Sequence, residues 1–178
     1  MSFLSRLFKR KTDEHPVVKA DHIGDETPKP ANITNDVFGY FKEVPDWINR
    51  SSGWGYTKED ALVVDTDNPN LGVHSEYVFA ELRSRIEVRD LLNAAFEGFK
   101  RGVQRLMEFG SSHYDVLEFK VFYFTKEDFE FLKNDFESHN NYENDKAGLE
   151  RHNQLRLERI KYYSSECWIN IDSFFGKY

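Results

Sequence analysis

A ten-residue stretch, residues 115–124, constrains the fold of this chain more than any other segment. Apolar side chains occupy both of its alternating sets of positions: Leu117, Phe119, Val121 and Tyr123 form one set, and Val116, Phe122 and Phe124 form the other. Successive side chains of a β-strand point to opposite faces of the sheet, so a strand with this pattern needs cover on both faces. The segment therefore predicts a strand in the interior of a sheet, not at its edge.

Three further segments have the patterns of strands. Residues 61–64 form a short continuous apolar run, which is typical of a buried strand. Residues 73–83 contain the apolar run of Tyr77, Val78 and Phe79, and residues 167–172 alternate in the manner of a closing strand. Residues 65–70 consist of residue types that favour turns.

The longest predicted element is a helix. Apolar residues recur at strides of three, four and one over residues 88–107, which matches the helical period. Gly110 follows, where a helix commonly ends in a left-handed residue. We expect this helix over about residues 86–109. Thr125 and the acidic residues after it predict the start of a second helix, and the apolar spacing over residues 149–160 predicts a third.

These elements follow one another without a regular βαβ repeat. The order predicts an α+β fold, with a mostly antiparallel sheet packed against the long helix at about residues 86–109 and against two further helices. We expect a single folded domain over residues 35–178. Residues 1–34 are expected to form a basic N-terminal segment and a polar linker that contains three prolines.

The first eleven residues combine four basic side chains with four apolar ones, Phe3, Leu4, Leu7 and Phe8. Placed on a short helix, these side chains can rest on a membrane surface. A helix this short is marginal in water, and four apolar side chains make a weak anchor. A basic tail, or a short helix docked on the domain, is therefore the favoured alternative.

Charge and composition narrow the class of function. The net charge of −7 disfavours nucleic-acid binding, because that binding depends on neutralising phosphates with Lys and Arg. The same charge makes a protein with a basic surface the expected partner. Aromatic residues make up 16% of the chain, which is unlike a disordered protein. A single cysteine, Cys167, no long apolar run and no secretory signal pattern predict a cytoplasmic location.

Motifs for catalysis, metal binding and cofactor binding are all incomplete. Asp65, Asp67 and Glu76 have the spacing of three EF-hand ligands. Pro69 and Asn70, however, stand where that loop needs an oxygen ligand and a glycine. The six histidines form no zinc-binding pair, and there is neither a nucleophile elbow nor a phosphate-binding loop. We expect no metal, no cofactor and no catalytic residue, so an enzyme is the less favoured interpretation.

Residues 54–85 hold the candidate binding residues. They combine aromatic side chains, a glycine-rich turn and charges, and the candidates are Trp54, Tyr56, Glu59, Asp60, Glu76, Arg83 and Arg85. Aromatic anchors with a charged rim are typical of protein-binding hot spots. They are also typical of a small-ligand or catalytic pocket, in which Glu59, Asp60 or Glu76 would act as acid or base. The third alternative is that Trp54 and Tyr56 cover the core.

A second acidic area lies between residues 126 and 146, where seven acidic residues accompany three lysines. Such a run is typical of a solvated helix face, and it also offers a counter-surface for a basic partner. In these general properties the chain resembles the small, acidic, aromatic-rich cytosolic proteins that neutralise bacterial toxins. This resemblance of class implies a non-enzymatic protein-binding module of the immunity type. A small enzyme or ligand-binding protein is the alternative.

Overall fold

The computed structural model describes residues 53–177. In chain order the elements are β1 (Leu62–Val63), α1 (Pro69–Ile86), a π-helical turn (Glu87–Leu91), β2 (Ala95–Phe109), β3 (Ser112–Phe124), α2 (Lys126–Ser138), a 3-10 turn (Asn140–Tyr142), α3 (Lys146–Arg159) and β4 (Lys161–Asn170). The predicted basic segment and linker, residues 1–34, and the start of the predicted domain lie outside the described residues. None of the helices in the described part is both long and apolar enough to cross a membrane.

The strands form one sheet in the order β1-β4-β3-β2. β3 pairs with β2 and with β4 in antiparallel directions, whereas β1 runs parallel to β4. The predicted α+β class is confirmed, and the sheet is mixed, with two antiparallel pairings out of three. β3 lies between β2 and β4, which confirms the interior strand predicted from residues 115–124.

The predicted long helix over about residues 86–109 is wrong, because most of that segment is the strand β2. The register between β2 and β3 shifts at two points. Each shift is a bulge that inserts extra residues into the strand, so apolar residues recur at three or four positions, as they do on a helix. Gly102 lies in the second bulge, where a Cβ would come within 2.8 Å of the Glu118 carbonyl oxygen.

The long helix of the structure is α1, so the predicted strand over residues 73–83 is also wrong. Asn68 caps α1 by accepting hydrogen bonds from backbone N–H groups of its first turn, and Pro69 takes the first helical position. The buried stripe of α1 contains polar and charged residues, namely Ser75, Glu76, Arg83 and Ser84. Because these residues stand where an apolar stripe is usual, hydropathy conceals the helical period.

The other predicted elements are confirmed. α2 begins after Thr125, whose hydroxyl accepts a hydrogen bond from the Asp128 backbone N–H. α3 begins after Asp145, whose carboxylate accepts a hydrogen bond from the Gly148 backbone N–H. β1 falls within residues 61–64, and the predicted closing strand overlaps the C-terminal part of β4, which begins earlier, at Lys161.

α1 packs against one face of the sheet. The core between them consists of apolar side chains of α1 and of odd-numbered positions in β3 and β4: Phe79, Ala80, Leu117, Phe119, Val121, Cys167 and Ile169 are all buried. Even-numbered positions of β3 and β4, with alternate residues of β2, point the other way. We call that surface the open sheet face; it includes Lys100, Arg105, Met107, Phe109, Tyr114, Val116, Glu118, Lys120, Tyr162, Ser164, Glu166 and Trp168.

Candidate functional site

Arg83 is the centre of a buried polar cluster that joins α1 to β4 and to the turn before β1. Its side chain is fully buried. The guanidinium donates hydrogen bonds to the Trp54 carbonyl oxygen at 2.9 Å, to the Ser165 hydroxyl at 2.8 Å and to the Glu166 carbonyl oxygen at 2.6 Å. Its Nε lies 3.2 Å from a carboxylate oxygen of Glu87, which supplies the opposite charge.

Two tyrosine hydroxyls complete this cluster. Tyr163 donates to one carboxylate oxygen of Glu87 at 2.5 Å, and Tyr56 donates to the other at 2.7 Å. Burial, reinforced by the Glu87 carboxylate, raises the pKa of both tyrosines well above the ordinary value. Both hydroxyls therefore act as hydrogen-bond donors at neutral pH. The Arg83 guanidinium also stacks on the Tyr56 ring, 4.4 Å from its centroid.

The structure thus brings Trp54, Tyr56 and Arg83 together, but in the interior. Trp54 is only 5% exposed and packs against Phe79 of α1. This arrangement matches the alternative in which the rings cover the core. Cys167 lies in the same region, where burial raises the pKa of its thiol to about 11. A thiol that stays protonated at neutral pH is not an activated nucleophile.

Glu59 and Asp60 are neighbours in the turn before β1, whereas Arg85 lies on α1. Glu59 is exposed and lies 3.5 Å from Lys58. Asp60 closes the turn before β1, because its carbonyl oxygen accepts a hydrogen bond from the Gly55 N–H at 2.6 Å. Arg85 is exposed on α1 and pairs with Glu81 at 2.7 Å. Among the described residues, no hydrogen bond or ion pair joins these three candidate side chains to one another.

Glu76 is the centre of a second buried polar cluster, between α1 and the sheet. The amide nitrogen of Gln104 on β2 lies 3.4 Å from the Glu76 carboxyl and 2.6 Å from the Asp115 carboxyl. Burial and the neighbouring Asp115 raise the pKa of Glu76 to about 9, and burial raises the pKa of Asp115 as well. Glu76 therefore keeps its proton at neutral pH and donates a hydrogen bond to Asp115. Neither Asp115 nor Gln104 was among the residues predicted from sequence.

The residues with EF-hand spacing do not assemble. Asp65 and Asp67 are exposed ahead of α1, where Asp67 forms an ion pair with Lys177. Glu76 is buried within the helix, while His74, two residues earlier, is exposed. Within residues 53–177, no three His, Cys, Asp or Glu side chains are grouped so that they could hold a metal ion.

Three aromatic side chains form a ring cluster on the open sheet face: Phe109, Tyr114 and Trp168. Their centroids lie 6.0 to 6.3 Å from one another. Phe109 is 41% exposed, and the other two are half-buried. The Lys58 ammonium lies over the Phe109 ring, 4.4 Å from its centroid. Val116, the register partner of Trp168 on the same face, is fully buried.

The acidic area predicted over residues 126–146 falls on α2, α3 and the connection between them. Much of it is exposed, including Glu127, Glu137 and Glu143. This part of the chain follows the end of β3 and precedes the start of β4, whereas the ring cluster lies at the other ends of those strands. The acidic area and the ring cluster are therefore separate surfaces.

The ring cluster does not follow from the sequence prediction, because the helix predicted over about residues 86–109 places Phe109 at its end. A usable signal was present, since Gly110 separates two segments that each contain alternating apolar positions, a pattern typical of a hairpin. The structure places Gly110 in the turn between β2 and β3 with φ +64°.

Comparison of the chain with models of protein families, with curated protein sequences and with solved structures finds no match in any of the three.

Proposed function

We propose that this protein is a non-enzymatic protein-binding module whose binding site is the ring cluster on the open sheet face. The observation that carries the proposal is the grouping of Phe109, Tyr114 and Trp168 at one end of an exposed sheet surface. Tyr and Trp are enriched among the residues that dominate binding energy, and these residues cluster in well-packed surroundings. Single exposed apolar residues are ordinary, but a contiguous group of rings is not.

β2 contributes to this surface through its C-terminal end. Within residues 53–177, three exposed large apolar side chains belong to β2: Val103, Leu106 and Phe109. Leu106 is the register partner of Asp115 and points to the opposite face of the sheet, so of Leu106 and Phe109 only Phe109 belongs to the open sheet face. β2 is also the outer strand of the sheet. A partner that covers the ring cluster also covers the adjacent end of β2, and it removes apolar area from water as it does so.

The alternative function is a small enzyme or ligand-binding protein with a pocket around Trp54 and Tyr56. The specific observation in its favour is Glu76, a carboxylic acid that stays neutral at pH 7, as some general acids do. Trp54, Glu76 and Arg83 are all buried, and the hydrogen bonds of Arg83 are directed at the protein itself. This inward arrangement favours a structural role for both polar clusters and leaves the open sheet face as the better binding surface.

A toxin-neutralising role would be one form of such binding. The expectation of a basic partner came from the net charge of −7, and the exposed acids of α2 and α3 support it. The ring cluster lies at the far ends of the strands from those acids. We therefore treat the ring cluster as the anchor of the interface and treat the charge of the partner as a separate question.

The experiment compares two exposed phenylalanines in the full chain. Phe109 is 41% exposed with a lysine over its ring, and Phe131 on α2 is 44% exposed with Arg159 over its ring. Tagged wild-type, Phe109→Ser and Phe131→Ser proteins are used for affinity capture with cross-linking from cells that express the protein naturally. We expect one partner protein to be recovered with wild type and Phe131→Ser and to be strongly depleted with Phe109→Ser.

Folding of each variant is checked by urea unfolding. Equal recovery with all three proteins, or loss only with Phe131→Ser, would contradict the proposed site. The absence of any partner enriched over an unrelated control protein would contradict the proposed function.

A further inference from the structure

The charges of the open sheet face are unevenly neutralised. Arg105 lies 3.2 Å from Glu118 and 2.5 Å from Glu166, so the two acids of this face share one arginine. Lys100 on β2 and Lys120 on β3 are direct register partners, and both are exposed. In the described part of the chain, neither lysine lies within the 4.0 Å that defines an ion pair with a carboxylate.

Two like charges directly opposite on neighbouring strands repel each other and destabilise the pairing. The strain is partly relieved because the Lys120 ammonium leans over the Tyr162 ring, 4.8 Å from its centroid. This face carries three basic side chains, Lys100, Arg105 and Lys120, and two acidic ones, Glu118 and Glu166, although the whole chain has a net charge of −7. A carboxylate placed between Lys100 and Lys120 would turn the repulsion into attraction.

We propose that the partner docks on the open sheet face through an acidic segment, whose carboxylates bind Lys100 and Lys120 and whose apolar end covers the ring cluster. The inference rests on the proposed function and names the chemistry of the partner. Tyr114 and Lys120 are six residues apart on β3, which is about 20 Å at the rise of a strand. An extended segment of roughly seven residues spans that distance.

The same lysines could attract a nucleic acid, but two features of this face favour a protein segment. Glu118 and Glu166 lie between the lysines and the ring cluster and would repel a phosphate backbone. A carboxylate segment needs only a local pair of cations, whereas nucleic-acid affinity grows with the number of phosphates that are neutralised. The experiment must therefore distinguish binding of an acidic peptide from binding of single-stranded DNA.

The probe is a synthetic eight-residue peptide with glutamates at one end and phenylalanine and leucine at the other, and the matched peptide has lysines in place of the glutamates. Each is titrated into the isotope-labelled full chain, and amide shifts are followed by NMR. We expect the glutamate peptide to shift residues around Lys100, Lys120 and Phe109. Binding should weaken as salt rises, because exposed charges are screened.

The charge-reversed variant Lys100→Glu/Lys120→Glu should bind the glutamate peptide roughly tenfold more weakly, or worse. Lys126→Glu/Lys146→Glu is the matched control, since these lysines are also exposed but belong to α2 and α3. Its affinity for the peptide should equal that of wild type.

Several results would overturn the inference. These are equal or tighter binding of the lysine peptide, shifts confined to α2 and α3, and tighter binding of an eight-nucleotide single-stranded DNA at the same residues. The absence of any shift would overturn it too, including the case in which residues 1–52 occupy the face. If the captured partner depends on Phe109 but survives Lys100→Glu/Lys120→Glu, the acidic segment is wrong and the protein-binding function stands.

Discussion

The carboxyl groups of Glu76 on α1 and Asp115 on β3 meet beneath one amide group, that of Gln104, which donates to both. Two carboxyls this close cannot both ionise without strong repulsion. Because Glu76 keeps its proton, the pair acts as an internal hydrogen bond between the long helix and the interior strand. Because this contact needs the proton on Glu76, the free energy of unfolding should depend on pH.

The first prediction concerns the sign of that dependence. The pKa of Glu76 rises from its ordinary 4.5 to about 9 on folding, so the native state holds a proton that the unfolded state releases between those values. Stability contributed by Glu76 is full below pH 4.5 and is lost as pH rises toward 9. Glu76→Gln, which cannot ionise, should flatten the fall in unfolding free energy between pH 5 and pH 9 in urea titrations.

The control for this prediction is Glu81→Gln, which changes an exposed glutamate of the same helix that pairs with Arg85. It should leave the pH dependence close to that of wild type. Identical slopes for wild type and Glu76→Gln would show that Glu76 is not protonated in the folded protein.

The second prediction concerns the buried pair of Arg83 and Glu87. Arg83→Met should reduce the free energy of unfolding by about 3–5 kcal/mol, because it leaves the Glu87 carboxylate buried without its counter-charge. Adding Glu87→Gln should recover part of that loss, since a glutamine carries no charge, its oxygen still accepts from one tyrosine hydroxyl, and its NH2 group can donate to the oxygen of the other. Arg85→Met, which breaks an exposed ion pair, should cost at most about 1 kcal/mol.

Urea unfolding of the single and double variants measures these differences. If Arg83→Met and Arg85→Met proved equally stable, the cluster around Arg83 would not be the joint between α1 and β4 that the structure indicates.

The third prediction compares two glycines with positive φ. Gly55 has φ +72°, and a Cβ there would lie 2.7 Å from the Trp168 carbonyl oxygen and 2.9 Å from the Cys167 sulfur. Gly110 has φ +64° with no atom within 4 Å of the same position. Gly110→Ala should cost only the backbone penalty of about 1–2 kcal/mol, whereas Gly55→Ala should cost clearly more. Comparable melting temperatures for the two variants would contradict this difference.

The fourth prediction concerns the joint between α2 and α3. Asp135 accepts hydrogen bonds from His152 Nδ1 at 2.6 Å and from the Tyr142 hydroxyl at 2.9 Å. Burial alone would raise the pKa of Asp135, but these hydrogen bonds outweigh it and hold the pKa below the ordinary 3.8. Its contribution to stability is therefore present above that value and is lost as pH falls through the folded pKa.

Asp135→Asn should accordingly be less stable than wild type at pH 7, and the gap should narrow as the solution is acidified toward pH 3. Glu137→Gln, an exposed change two residues away, serves as the control and should match wild type throughout. Unfolding in urea at several pH values measures both effects. A gap that widens on acidification would mean that the hydrogen bonds do not depend on an ionised Asp135.

Much of the fold could be predicted where a local pattern reported burial directly. β3 shows apolar residues on both faces because it is the interior strand: its odd-numbered positions are buried against α1, and Val116 and Phe124 on the other face are buried as well. α2 carries its own cap at Thr125. The sequence pattern predicts a helix where the structure has β2 and a strand where it has α1, and both errors have a physical cause. Bulges gave the strand a helix-like spacing, and buried Glu76 and Arg83 removed the apolar stripe from the helix.

The candidate site divides in the same way. Trp54, Tyr56 and Arg83 could be singled out from sequence, since aromatic and charged residues close together are visible along the chain. The sequence did not show that these three side chains are buried, and it did not show the ring cluster. Phe109 and Trp168 are 59 positions apart, and only the pairing of β2 with β3 and of β3 with β4 brings them onto one face.

The sequence by itself determined the α+β class, the interior strand and the two helices that follow it, because each shows in a pattern of residues close together in the chain. Tertiary structure alone decided which polar groups became interior. Arg83 can be buried because Ser165, 82 residues away, accepts its hydrogen bond, and Glu76 can be buried because it keeps its proton and donates a hydrogen bond to Asp115. A polar side chain enters a core only when distant partners satisfy it, and hydropathy along the chain does not record those partners.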